Sequence, residues 1–384
     1  GYHRGRQSAL KDRKRMSAAA RRQRPFGPWS PQIGEPWVIA GPCSAESLEQ
    51  VLETARALKA DGRTMLFRAG VWKPRTRPGT FEGAGYNALE WLQIMRAEVG
   101  LPFVVEVGNP QHVERALAAK ADAVWLGART TVSPFYVQEI AEALKGAKIP
   151  VLVKNPIHAD LGLWIGALER LDKLGSSDLA AVHRGFFAAN PEPYRNDPRW
   201  ELTFELRRHA PDLPIFCDPS HIAGQRDLVE SVAQIAMDLA LDGLMIEIHP
   251  NPDDALSDAA QQITPARLSA LLDRLANYLE RADPEAILTS LSADREGLDF
   301  IDAQLVELLQ NRQHIVERLA QRKLELGASV FQMDRWINML EQREAQAKDV
   351  GIDPKYVRAF FELVHRYSVQ HQAAIYQAQR REEP

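Results

Sequence analysis

PheCysAspProSerHis at 216–221, MetIleGluIleHisPro at 245–250 and AlaLeuSerAspAla at 255–259 make up the stretch that decides the fold. The first two are short apolar runs with strand character that end in polar residues able to bind a metal. His221 follows ProIlePheCys, Glu247 and His249 end LeuMetIle, and Asp258 sits on the loop just beyond. If strand ends carry these groups, imidazole and carboxylates converge on one rim, where a divalent cation can sit. Any one of them alone reads as an ordinary polar loop residue. The pattern gains weight because it recurs along the chain.

Working outward, short apolar runs recur at 37–40, 65–67, 103–107, 123–126, 150–153, 179–183, 214–217 and 243–248, eight in all. Between them, stretches such as 46–60, 111–120, 134–145 and 226–241 carry apolar residues at helical spacing. Strand–helix alternation predicts a parallel sheet, and eight units predict a closed (β/α)8 barrel, an α/β fold. An open doubly wound sheet is the alternative, but no Gly-rich dinucleotide turn follows the first run. Such barrels place their chemistry at the C-terminal strand ends. There the sequence puts Cys43, Arg68, Lys73, Glu106, Arg129, Lys154, Arg184, His221 and Glu247. Arg68, Lys73, Arg129, Lys154 and Arg184 form a cationic cluster; Cys43, His221, Glu247 and Asp258 form a mixed S/N/O metal set. Five cations around one cavity repel unless an anion is the guest. The expected ligand is a small phosphorylated acid, bound by forked Arg hydrogen bonds and Lys point charges beside a metal. Rim cations paired to unseen acids are the plainer alternative.

GlyProCysSer at 41–44, LysProArgThr at 73–76, GlyAlaArg at 127–129, LysAsnPro at 154–156, HisArgGly at 183–185 and AspProSerHis at 218–221, followed by GluIleHisPro and AlaLeuSerAsp, resemble 3-deoxy-D-arabino-heptulosonate 7-phosphate (DAHP) synthase. The smaller microbial subtype is the nearest, over about 37–282. The resemblance implies condensation of phosphoenolpyruvate with erythrose 4-phosphate. It implies a divalent metal on Cys43, His221, Glu247 and Asp258, Mn2+ first among several, and no organic cofactor. It places phosphoenolpyruvate on Arg68, Lys73, Arg129, Lys154 and Arg184, and the sugar phosphate on Arg75 and Thr76. The metal polarises the aldehyde, Glu106 is expected to orient the attacking water, and Lys73 to protonate the new alkoxide. Cys217 reads as a buried strand residue. The rival is 3-deoxy-octulosonate 8-phosphate synthase, whose counterpart to LysProArgThr carries an Asn in place of the Pro–Arg pairing. A generic metal aldolase explains fewer of the cations.

After Ala282 the pattern changes. AspPro at 283–284 is a helix-entry signal, and from Glu285 to about Leu326 there is no Pro and one Gly. Leu288, Leu291, Leu298, Ile301, Leu305, Leu308, Ile315 and Leu319 recur at helical spacing. A helix of ~40 residues spans ~60 Å and cannot bury that stripe on the shorter helices that follow, about 333–348 and 355–379, so a partner chain is expected. The prediction is a three-helix all-α domain forming an intertwined dimer. LeuSerAlaAspArg and PheIleAspAlaGlnLeuValGluLeuLeu within 291–309, then Arg312, Lys323, Arg335 and SerValGlnHisGln at 368–372, resemble the all-helical (AroQ) class of chorismate mutase. The resemblance implies rearrangement of chorismate to prephenate, with Arg295 of the partner chain and Arg312 on the carboxylates. Lys323 and Gln372 would hydrogen-bond the ether oxygen, while Arg335 and Ser368 complete the site. Two positions depart from the family pattern. Gln332 stands where an Asp is usual and offers its amide instead, and Trp336 stands where a Glu usually holds the substrate hydroxyl. A helical module that senses prephenate or chorismate and regulates the barrel, without turning anything over, is the competing reading. The fusion also makes prephenate feedback on the synthase an expectation.

Composition fits these readings. The 384-residue chain holds more than one domain, and its net charge of −4 gives no case for nucleic-acid or membrane binding. Two cysteines, Cys43 and Cys217, form no disulfide framework and suit a reducing cytoplasm. The first stretch is Arg- and Lys-rich, does not begin with Met and lacks the apolar core of a secretory signal. The expected organisation is a disordered basic tail or expression remnant over 1–28, the barrel over 29–282 and the helical domain over 283–384.

Overall fold

The computed structural model of the chain describes residues 26–30, 35–72, 81–176, 178–189, 192–275, 286 and 289–382. It divides into two compact units, Gly1–Ala282 and Asp283–Pro384. The basic stretch before residue 26, the linker near Asp283 and the LysProArgThr loop lie outside the described residues.

The first unit is a closed parallel barrel with its strands in sequence order. They are β1 (Trp37–Gly41), β2 (Leu66–Ala69), β3 (Phe103–Val107), β4 (Ala123–Leu126), β5 (Val151–Lys154), β6 (Leu179–His183), β7 (Ile215–Cys217) and β8 (Gly243–Glu247). β1 closes the ring on β8 with Gly41 opposite Glu247. Side chains alternate faces along each strand. Ile39, Leu66, Val104, Trp125, Leu152, Val182, Phe216 and Met245 fill the barrel, while Phe67, Val105, Val153 and Ala181 pack outward against the helices. Two residues above the inward set come Gly41, Arg68, Glu106, Lys154, Arg184, Asp218 and Glu247. Strand alternation therefore carries the chemistry to the mouth.

The helices start where the sequence marks their ends. Asn109, Ser133, Asp218 and Thr264 each accept a hydrogen bond at a helix N-terminus whose first residue is Pro. The side chain satisfies an orphan N–H, and Pro at the first position sacrifices none. Gly41 is fixed by close approach. Its φ is +155°, and a Cβ there would lie 2.1 Å from the Arg68 carbonyl oxygen.

The N-terminal boundary differs from the expectation. Phe26 pairs with Trp29 in a short antiparallel bridge and is only 2% exposed. Its ring packs against Trp37 and Phe216, among the side chains that fill the barrel. The barrel unit thus begins by Phe26, inside the stretch expected to be tail, because the strands' N-terminal ends leave apolar side chains to cover.

Among the described residues the second unit has the helices Ser292–Glu325, Met333–Asp349 and Pro354–Glu382. Leu298, Ile301, Leu305, Leu308, Ile315 and Leu319 stand 45–63% exposed along the first. No helix among the described residues is long and apolar enough to cross a membrane.

Phe26→Ala should destabilise the barrel by about 3–5 kcal/mol, the usual cost of emptying a buried aromatic site. Denaturant unfolding followed at the barrel's own transition would show it; an unchanged midpoint would place Phe26 outside the core.

Candidate active site

Arg68 sits at the centre of the barrel mouth, 1% exposed. Its Nη2 lies 3.2 Å from Glu247 Oε1 and 3.4 Å from the Cys43 carbonyl oxygen. Its guanidinium carbon stands 5.0 Å from the centre of the Trp125 ring, and Lys154 Nζ 5.8 Å from the same ring. The indole's negative face thus supports two cations, and its Nε1–H donates to Glu106 Oε2 at 3.1 Å. Gly127 makes room there, since a Cβ would fall 2.0 Å from Glu106 Oε1. Burial pulls the Arg68 pKa down, but Glu247 and Asp218 outweigh it and raise it above its ordinary value.

Asp218 joins the two halves of the site. Its Oδ2 lies 2.8 Å from Lys154 Nζ and 2.8 Å from His221 Nδ1, and its Oδ1 caps the short helix through the His221 N–H. Burial would push this carboxyl up; His221 and Lys154 win and hold it well below the usual carboxylate range. Burial likewise lowers the His221 pKa against Asp218 and Glu247, which favours the neutral imidazole that ligates metals.

Cys43 Sγ and carboxylate oxygens of Glu247 and Asp258 lie within 4.8 Å of one another. Donors bonded to one ion at about 2.0–2.4 Å sit about 3–4.5 Å apart, so this set fits a single cation. His221 Nε2 lies 3.8 Å from Glu247 Oε1, with Asp218 behind its other nitrogen, the carboxylate–imidazole arrangement that aims a ligand. Glu247 Oε2 accepts from Gln261 Nε2 at 2.7 Å, and Gln261 Oε1 accepts from Arg195 Nη1 at 2.7 Å. Arg195 Nη1 also reaches Asp258 Oδ1 at 3.1 Å. Asp258 has φ +45°, a left-handed backbone that Asp tolerates better than most residues. The residues present fit a divalent cation of borderline hardness.

Arg184 donates to Asn196 Oδ1 at 2.8 Å, and Asn196 Nδ2 donates to the His221 carbonyl. Burial pushes Arg184 down to about 10, with Asp218 opposing and Arg195 and Arg129 adding to the shift. Arg129 is exposed on the turn Ala128–Thr131 after β4. Lys73, Arg75 and Thr76 lie outside the described residues. The sequence motifs assign no role to Asp218, Trp125, Arg195 or Gln261. Asp218 stands two positions beyond the inward-facing Phe216. Cys217 is buried and forms no disulfide, facing the helices with Ile215.

In the helical unit Arg312 donates to the Ser368 hydroxyl from the long helix to the last. Lys323 Nζ donates to the Val330 carbonyl at 2.7 Å. Gln372, 5% exposed, donates to the Ser368 carbonyl, and its Oε1 is buried without a hydrogen-bond partner. Burial lowers the pKa of both Arg312 and Lys323. Arg295 and Arg335 are exposed. Arg295 lies roughly 25 Å along the same helix from Arg312, at ~1.5 Å per residue, so one chain does not bring them together. A groove of about 380 Å³ runs beside Arg312, lined by Leu309, Val316, Phe360, Leu363 and Tyr367.

Family models match both units. The family model described as DAHP synthetase I family matches residues 33–282, and chorismate mutase type II matches 294–373. A phospho-2-dehydro-3-deoxyheptonate aldolase of Thermotoga maritima is 31% identical over 226 residues, 59% of this chain and 64% of that protein. The match thus spans less than two thirds of that relative. A 2-dehydro-3-deoxyphosphooctonate aldolase of Magnetococcus marinus is 27% identical, covering 69% of this chain and 93% of its own length. The crystal structure of the Thermotoga maritima DAHP synthase superposes with a TM-score of 0.58 at 28% identity, covering 67% of this chain and 71% of that one.

Asp218→Asn should weaken binding of a divalent cation about 10- to 100-fold, as loss of a carboxylate behind a ligating His does. Calorimetric titration of the metal-stripped protein measures it; unchanged affinity would mean that Asp218 serves Lys154 alone.

Proposed function

Because the chain belongs to the DAHP synthetase I family across its barrel and carries a chorismate mutase type II domain after it, we propose that it is a bifunctional enzyme. The barrel condenses phosphoenolpyruvate with erythrose 4-phosphate to 3-deoxy-D-arabino-heptulosonate 7-phosphate. The helical unit rearranges chorismate to prephenate.

The observation that carries the first half is Arg68, whose Nε and Nη1 are buried without a hydrogen-bond partner. Donors sealed from water are costly unless an acceptor arrives, and an oxyanion matches a guanidinium best. With Lys154, Arg184 and Arg129, Arg68 holds the phosphate and carboxylate of phosphoenolpyruvate and turns its enol carbon toward the aldehyde. A divalent cation on Cys43, His221, Glu247 and Asp258, Mn2+ first among those such a set accepts, supplies Lewis-acid polarisation of the aldehyde. Arg75 and Thr76 hold the sugar phosphate. Lys73 gives its proton to the new alkoxide. Glu106, fixed by the Trp125 indole, orients the water that adds to the enol-ether carbon, after which inorganic phosphate leaves.

The rearrangement is pericyclic and needs no acid, base or nucleophile. It needs a folded substrate and charge at the breaking ether bond. Arg312 holds one carboxylate, and Arg295 of a second copy holds the other. Lys323 and Gln372 address the ether oxygen; a half-turn of the Gln372 amide puts Nε2 where the unpartnered Oε1 stands. Arg335 and Ser368 close the site. The exposed apolar stripe of the long helix supports a dimer through this unit. Both activities belong to aromatic biosynthesis from phosphorylated sugars, chemistry of the cytoplasm. Prephenate bound in the helical unit is expected to slow the barrel, on the motive of the fusion alone.

Purified full-length protein should consume chorismate, and Arg312→Ala should lose roughly 10²-fold or more, the cost of a key charge-stabilising donor. No turnover, with condensation intact, would make the helical unit a sensing and dimerising module. The barrel should prefer the four-carbon over a five-carbon aldose phosphate; the reverse would assign it the octulosonate reaction. A condensation rate unchanged by saturating prephenate would remove the feedback.

A further inference from the structure

We propose that His365 sets substrate specificity in the helical unit by holding the ring hydroxyl of chorismate. The inference rests on the mutase reading above and adds to it the residue that recognises the neutral end of the substrate.

His365, Ser368 and Gln372 are spaced by three and four residues on the last helix, so they share a face. Ser368 touches Arg312 and Gln372 reaches Ser368, so His365 extends the same row of polar groups by one turn. Its ring is bracketed by aromatics. Trp336 lies 4.0 Å away between centroids at 31°, and Phe331 5.9 Å away at 72°. Lys323 donates to the Val330 carbonyl, next to Phe331, which brings the ammonium to the edge of this bracket. Burial, then the charges of Arg312 and Lys323, lower the His365 pKa. The imidazole is therefore neutral at neutral pH, offering one donor and one acceptor.

On this face the Gln372 amide also offers a donor and an acceptor, but it is directed to the ether oxygen, which leaves His365 for the hydroxyl. Arg312 and Lys323 offer donors alone. The Ser368 hydroxyl is occupied twice, accepting from Arg312 and donating to the Val364 carbonyl at 2.8 Å. Among the described residues no hydrogen bond uses either ring nitrogen of His365. A hydroxyl both donates and accepts, so it pairs with a neutral imidazole, whereas the carboxylates of the same substrate go to the guanidinium groups. Trp336 has only an indole N–H donor. Its ring backs the imidazole, so the departure at 336 is structurally paired with the histidine at 365.

Chorismate kinetics on the full-length protein test this with His365→Phe, which keeps a ring against Trp336 and removes both nitrogens. KM should rise about three- to tenfold, the range for one neutral hydrogen bond, with kcat changed less. His365→Gln, which retains a donor and an acceptor, should recover part of the loss. With a chorismate analogue lacking the ring hydroxyl, wild type and His365→Phe should bind equally. Wild-type kinetics in His365→Phe, or an equal loss with the deoxy analogue, would overturn the assignment. Wild-type protein that does not turn over chorismate would overturn the mutase reading and this one together, before any variant is made.

Discussion

A guanidinium sealed inside a barrel is unfavourable unless its charge is answered. Arg68 is so placed, and the rest of the mouth is arranged around it. Glu247 answers it directly at 3.2 Å, while Asp218 answers Lys154 and His221. Glu247 and Asp218 are both fully buried. The same carboxylates that keep the cations charged also hold or aim the candidate metal ligands. Cation cluster and metal set are therefore one electrostatic unit, and a change in either is felt by the other. Such a pocket is organised in advance, so binding of the proposed anion would require little reorientation of its dipoles.

How much of this could be read from the sequence follows from the range of each signal. Eight apolar runs gave eight strands because a strand's side-chain period is local. Period-two counting also explains why Arg68, Glu106, Lys154 and Glu247 face inward. The same count from Phe216 reaches Asp218, so the inward placement of this motif residue is legible in the sequence as well. Arg195 and Gln261 were not readable in this way. Arg195 meets Asp258 63 positions later, and Gln261 reaches back 14 positions to Glu247. Phe26 was hidden by its basic neighbours; only the closed barrel shows that its lower end needs an aromatic cover. Lys73, Arg75 and Thr76 continue to rest on their motif.

In the helical unit, periodicity identified the faces but not what covers them. The long helix covers Ser292–Glu325, its expected start at Glu285 lying outside the described residues, and six leucines and isoleucines of its stripe remain in solvent within one chain. Arg312, Ser368 and Gln372 meet because two long helices lie side by side, with positions repeating every three or four residues. Arg295 sits on that same rod, and its distance from Arg312 is fixed by the helical rise. The sequence carried this constraint as plainly as the structure does. By contrast, the contact between Trp336 and His365 joins two helices and has no local signature.

Trp125 gives the molecule a property of another kind. An indole beside both a guanidinium and an ammonium experiences a strong local field, and its excited state is polar. An anion settling on those two cations changes that field at a distance of a few ångströms, without displacing the ring. If the proposed anion binds there, Trp125 would act as an optical gauge of occupancy within the unmodified protein.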